Sequence, residues 1–162
     1  MITIRRIEQN DWPSVWGLIE PVFRAGESYA FPPDISEAEA HRDWAEVPTA
    51  TYLARNAEGL AVGTYYIRPN HPGPGSHVCN CGYIVAPAAR GQGVGTRMCE
   101  HSQDEARRLG FRAMQFNLVV VENKAAVRLW KGLGFHVVGT LPGAFRFPDG
   151  RFVDACIMFK EL

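Results

Sequence analysis

Apolar and polar positions alternate over residues 2–8, ITIRRIE, which predicts a first strand. Asn10 or Asp11 stands where a helix cap belongs, and Pro13 falls in the first turn of the helix that opens WPSVW. Pro21 has no amide hydrogen, so that helix is expected to bend or break there. Residues 25–35, AGESYAFPPDI, read as a loop with interleaved aromatics. Ser36 with Glu39 three positions later is a capping box, predicting a second helix to about Val47. Alternating runs at 50–56 and 60–68 flank Asn56-Ala57-Glu58-Gly59, a hairpin signal. Residues 77–86 read as another strand. Val94, Met98, Ala106 and Leu109 give a helix over 94–109, and Gly110 closes it. The stretch FRAMQFNLVVV is a strand, and Asn123 to Lys131 a short helix closed by Gly132 and Gly134. Two more strands, 135–141 and 152–160, surround a turn at Pro148-Asp149-Gly150. The order β-α-α-β-β-β-α-β-α-β-β predicts an α/β fold (α+β in some schemes) with a mixed sheet, as one domain over 1–162.

Composition narrows the classes. Apolar residues are 46% and charged residues 21% of the 162, which excludes disorder as the dominant state. Lys plus Arg and Asp plus Glu are both 17, so the cationic excess of a non-specific nucleic-acid binder is missing. No apolar run approaches the roughly 18 residues that cross a membrane. The first residues, MITIRRIEQNDW, carry early charges and no apolar core, unlike a secretory signal. Cys79 and Cys81 form C-x-C, and neither Cys99 nor Cys156 completes a zinc spacing. The four are read as buried thiols in a reducing cytoplasm, with no metal, nucleic-acid or membrane partner expected.

The candidate chemistry begins at Arg90-Gly91-Gln92-Gly93-Val94-Gly95-Thr96, between a strand ending Val85-Ala86-Pro87 and a helix. Glycines let backbone N–H groups turn toward a ligand, and the helix N-terminus adds partial positive charge. Together they suit a pyrophosphate without a lysine. A Walker A loop requires a lysine before its Ser or Thr, and none precedes Thr96. A dinucleotide fingerprint requires G-x-G-x-x-G after the first strand; here the glycines are at 91, 93 and 95, after four strands. The acyl-CoA pattern R/Q-x-x-G-x-G/A fits at Arg90, Gly93 and Gly95. A glycine-rich turn that only caps a helix remains the bland alternative for the loop alone.

A second segment, Asn123-Lys-Ala-Ala126-Val-Arg-Leu129-Trp130-Lys-Gly-Leu-Gly134-Phe135, decides between them. The two motifs at this spacing, and the element order from end to end, resemble the GNAT superfamily of N-acyltransferases. The resemblance implies a sheet of about seven strands splayed at its centre, about four flanking helices, and acetyl-CoA as co-substrate. It also implies that Tyr83, Ile84 and Val85 pair their backbone with the pantetheine arm, like an added strand. Arg90, Gly91, Gln92, Gly93, Val94, Gly95 and Thr96 would hold the pyrophosphate, and Asn123 the pantetheine or acyl region.

The chain departs from the family pattern in places. Relatives often carry a proton-donating tyrosine where this chain has Trp130, and some carry a Glu base where it has Leu118. Indole is no proton donor at neutral pH, so Trp130 is read as a packed aromatic. Glu122, the nearest carboxylate, is read as a solvated turn residue. The polar positions on the central strands are instead Asn80 and Asn117. Alternation puts Asn80 opposite Cys79 and Cys81, and Asn117 opposite Phe116 and Leu118. Asparagine is disfavoured in central strands, so both ask for a function or a satisfied buried amide. With Asn123 they resemble the proline-analogue N-acetyltransferases of fungi, which acetylate azetidine-2-carboxylate and similar imino acids. That likeness implies that Asn80, Asn117 and Asn123 position the acceptor or the thioester carbonyl. Glu27, Tyr29, Phe31 and Phe145, with Phe147 beside it, are expected near the acceptor. His77 and His101 are read as surface or strand-end residues.

The reading is acetyl transfer from acetyl-CoA to the amine of a small amino- or imino-acid-like molecule, by direct attack in a ternary complex. A homodimer is compatible with it. The alternatives are acetylation of a protein N-terminus or an aminoglycoside, or a non-catalytic CoA-binding sensor. Loop 25–35 offers a polycation only Glu27 and Asp34.

Overall fold

The polar turn at Asn56–Gly59 joins β2 (Ala50–Arg55) to β3 (Ala61–Pro69), and this hairpin begins a sheet that spans the molecule. The computed structural model describes all residues, Met1–Leu162. The remaining strands are β1 (Thr3–Arg6), β4 (Val78–Val85), β5 (Ala113–Val120), β6 (His136–Arg146) and β7 (Phe152–Glu161). The seven strands lie in the order β1-β2-β3-β4-β5-β7-β6. Every neighbouring pair is antiparallel except β4 and β5.

That parallel pair is short. β4 and β5 match only at Val78 with Ala113 and Cys79 with Met114, and then part. β5 carries an extra residue between Phe116 and Val119, opposite Met158 and Cys156 of β7. Such a bulge bends its strand and breaks the alternation of faces. Leu118 therefore does not share the face of Phe116, as strict alternation expected. Phe116 and Val119 join the core under α3 and α4, while Leu118 packs with Val120, Phe145 and Val153.

Helices cover both faces. α1 (Trp12–Ala25) and α2 (Glu37–His41) pack one side, where Val15, Ile19, Phe23 and Trp44 meet Leu53, Tyr66 and Ile84. α3 (Val94–Arg108) and α4 (Lys124–Gly132) pack the other, where Met98, Cys99 and Trp130 meet Tyr65, Tyr83 and Phe116. The predicted capping box forms: Glu39 N donates to Ser36 Oγ and Ser36 N to the Glu39 carboxylate. α2 continues as a π-helical turn over Arg42–Glu46. All four cysteines are buried free thiols. No helix is long and apolar enough to cross a membrane.

Two local expectations are corrected. α1 is not broken at Pro21 but runs on to a left-handed Gly26. Pro21 is exposed and forfeits one i to i−4 bond, while the buried stripe Val15, Leu18, Ile19 and Phe23 holds the helix to the sheet. Asp11 precedes α1 but does not cap it with its side chain. Its buried carboxylate instead accepts from Arg5 at 2.7 and 2.9 Å, from Arg55 at 3.1 Å and from Glu8 N at 2.8 Å. Burial alone would raise its pKa; Arg5, the Glu8 N–H and Arg55 outweigh burial and hold it at about 2.

Candidate active site

The parting of β4 from β5 leaves a cleft of about 1220 Å³ reached from both layers. Its first wall is the backbone of β4. Ala86 N donates to Val62 O, so alternate residues of β4 are committed to β3. Tyr83, in the other phase, turns its N–H and C=O into the cleft. Both groups meet one hydroxyl: Tyr83 N donates to Tyr29 Oη at 2.7 Å, and Tyr29 Oη donates to Tyr83 O at 2.7 Å. The Tyr83 side chain points away, into the core, with its hydroxyl 2.6 Å from Ser102 Oγ.

The glycine loop continues from this strand end. Gly91 and Gly93 have φ of 76° and 79°, the left-handed region that a side chain disfavours. A Cβ at either would meet nothing within 4 Å, so backbone conformation alone requires glycine there. Gly95 differs: a Cβ would lie 3.0 Å from Leu129 Cδ2, so this glycine lets α3 approach α4. Val94 is buried and anchors the helix start. The N–H groups of Gly91, Gly93, Val94, Gly95 and Thr96 donate to no other backbone group. Gln92 is exposed and donates to Ala88 O at 2.9 Å, and Arg90 lines the cleft at its rim. The loop can therefore present a row of free donors at a helix start to an anion.

The three asparagines line the same cleft from different elements. Asn80 is buried just where the strands part; it donates to Gln115 O of β5 at 2.9 Å and accepts from Tyr66 Oη at 3.3 Å. Asn117 is exposed, donating to Asn70 Oδ1 at 2.7 Å and accepting from Gln115 Nε2 at 3.0 Å. Asn123 caps α4, its Oδ1 accepting from Ala126 N at 3.2 Å. Each oxygen is thus engaged within the protein, and each amide nitrogen keeps at least one free hydrogen.

Other predicted positions divide. Trp130 packs 5.0 Å from the rings of both Tyr83 and Phe116, at the cleft floor. Leu118 and Val85 also line the cleft, as does Ile84, but Ile84 lies in the phase of β4 that is bonded to β3, so its N–H and C=O are not open to a pantetheine arm as the resemblance implied. Glu122 is exposed and pairs with Arg151 at 3.4 Å. Glu27 and Phe31 lie on the α1–α2 side of the opening. Phe145 does not line the cleft; it is buried against Val120 and Val153, and Phe147 lines the cleft in its place. His101 meets Tyr65 Oη at 2.5 Å on the α3 side, where burial lowers its pKa, and His77 is exposed beside Pro74 O.

Arg68 and Asp43 are among the cleft residues that escaped the sequence reading. Arg68 of β3 lies opposite Asn80 in register, so the two side chains share a face. Its guanidinium rests 5.2 Å over the Tyr66 ring and meets no carboxylate. Asp43, on the π-helical turn, lines the same opening. The available signal was a cation directly after the apolar run Tyr65-Tyr66-Ile67, which a reading by polarity alone assigns to solvent.

The model of the family described as "Acetyltransferase (GNAT) family" matches residues 4–135. A solved GCN5-related N-acetyltransferase from Kribbella flavida is 41% identical, with a TM-score of 0.93 over 99% of this chain and 98% of that one. N-acetyltransferase aca1 of Schizosaccharomyces pombe is 39% identical over 97 residues, covering 59% of this chain and 46% of the relative. The L-methionine sulfoximine/L-methionine sulfone acetyltransferase of Salmonella typhimurium is 35% identical over 79 residues, covering 48% and 44%. The chain thus spans less than half the length of either of these two curated relatives.

Proposed function

The chain belongs to the acetyltransferase (GNAT) family, and from that premise we propose that it moves the acetyl group of acetyl-CoA to the amine of a small amino- or imino-acid-like acceptor. The free donors of the glycine loop suit the pyrophosphate. The cleft edge of β4 suits the pantetheine arm and the thioester. The observation that carries the acceptor class is Arg68: a half-buried guanidinium in the cleft with no carboxylate of its own. It can hold an acceptor carboxylate in a charge-assisted pair, with the Asn80 amide beside it. The resemblance to an acetyltransferase named for two methionine derivatives points the same way.

The chemistry is direct attack within a ternary complex. The neutral amine attacks the thioester carbonyl carbon; the C–N bond forms and the C–S bond breaks. The amine loses a proton to water, and the departing thiolate takes one from water. Backbone N–H on the cleft edge of β4 and the free hydrogens of Asn80, Asn117 and Asn123 are donors for the developing oxyanion. Positioning supplies most of the acceleration. A free thiol has a pKa of about 8.5, so the thiolate is a tolerable leaving group without an enzymic acid at Trp130. The buried thiols suit the reducing cytoplasm.

The test is CoA release measured across matched acceptors: an α-amino acid, an imino acid, their decarboxylated amines, an aminoglycoside and a peptide N-terminus. The carboxylate-bearing acceptors are expected to turn over best. In Arg68→Met, their KM should rise about tenfold or more while the KM for acetyl-CoA holds. Equal turnover of the decarboxylated amines would overturn the acceptor class, and no CoA release with any acceptor would favour a sensor.

A further inference from the structure

Tyr29 stands in an unusual relation to the strand it touches. One hydroxyl both donates to and accepts from the same peptide residue, Tyr83. It thereby satisfies both cleft-facing backbone groups of that residue, much as a neighbouring strand would. The reading above assigns that edge of β4 to the acyl donor, whose amides and thioester carbonyl require the same N–H and C=O. The hydroxyl is held there by its ring, which packs 6.0 Å from Trp44 and 6.5 Å from Phe23. Burial raises its pKa well above that of a free tyrosine, so it remains a neutral hydroxyl through the working pH range. Tyr29 also belongs to the segment that carries Glu27 and Phe31 on the acceptor side of the cleft.

Resting on that functional reading, we infer that the Tyr29 hydroxyl and the acyl donor compete for the Tyr83 backbone. Acetyl-CoA binding displaces the hydroxyl and frees residues 26–35 to move, which couples the acceptor wall to occupancy of the donor site. A ligand that must first break two hydrogen bonds loses the affinity those bonds hold.

Tyr29→Phe keeps the ring and removes only the hydroxyl. It is expected to bind acetyl-CoA about fivefold tighter or more by titration calorimetry, because nothing then has to leave Tyr83. In the wild-type protein, acetyl-CoA should speed amide hydrogen exchange in residues 26–35 while slowing it at Tyr83. Unchanged or weaker acetyl-CoA affinity in a folded Tyr29→Phe would overturn the competition. So would wild-type exchange in residues 26–35 that stays the same or slows on donor binding. Failure of the wild-type protein to bind acetyl-CoA at all is a different result: it removes the functional reading itself, and the competition falls with it.

Discussion

The two edges of β4 are made of the same peptide groups and have opposite fates. One edge is matched to β3 along seven residue pairs, from Gly63 with Val85 to Pro69 with Cys79. The other is matched to β5 at two pairs and then opens. The closed edge is structure, holding Arg68 and Asn80 side by side. The open edge is a set of directed donors and acceptors that no neighbouring strand uses. The open edge comes from interrupting a sheet, and the β5 bulge and the Asn80 bond to Gln115 mark the interruption.

The largest effect should come from spoiling the donor end of the open edge. Gly93→Asp puts a side chain at a φ of 79° and a negative charge among the free N–H groups. Acetyl-CoA affinity by calorimetry should fall about a hundredfold or more. Gly95→Ala, by contrast, should lower the melting temperature by crowding Leu129 more than it weakens binding.

The next effect belongs to the closed side and should leave binding alone. Asp11, held at about 2 against a usual 3.8, stabilises the fold through Arg5 and Arg55. Because its folded-state pKa is depressed, that stability is fully present above about pH 4 and is lost as pH falls toward 2. Asp11→Asn should cost roughly 2 kcal/mol at pH 7 in a urea melt and flatten the acid limb over that window. Acetyl-CoA affinity at pH 7 should be unchanged.

Asn80→Ala attacks the point where the two edges divide. It leaves Gln115 O without its partner and should cost about 1–2 kcal/mol in stability. Turnover should fall more than acetyl-CoA affinity does; near wild-type turnover would reduce Asn80 to a clasp between strands. The smallest effect is expected for Trp130→Phe, which thins the floor of the open edge. Steady-state assays should retain most activity, with about 1 kcal/mol lost in packing. The wild-type pH–rate profile should rise with acceptor deprotonation and show no alkaline fall.

Much of this contrast was legible in the sequence, and its limits have a physical pattern. Strands, hairpin turns, the capping box and the glycine loop are set by neighbours a few residues apart, and they appear where alternation and turn chemistry put them, except that β6 runs past its expected end at Leu141 to Arg146, paired there with β7. The Asn80 face follows from the same alternation. What failed depended on distant partners. Asp11 stands at the start of α1 as a cap would, but its carboxylate is taken by Arg5 of β1 and Arg55 of β2, which only the strand pairing brings together. Leu118 changed face because a bulge cannot be read from hydropathy. Phe145 and Phe147 were exchangeable until the fold buried the first. Arg68 escapes a sequence reading because a cation in a strand reads as solvent-facing, and only the fold sets it beside Asn80 in the cleft.

The central claim is that the open edge of β4, continuous with the glycine loop, receives acetyl-CoA. Titrating ¹⁵N-labelled protein with acetyl-CoA tests it residue by residue. The amides of Tyr83, Val85, Gly91, Gly93 and Val94 should shift strongly, while those of Gly82 and Ile84, committed to β3, should shift little. Shifts spread equally over both edges, or confined to residues away from β4 and the loop, would contradict it.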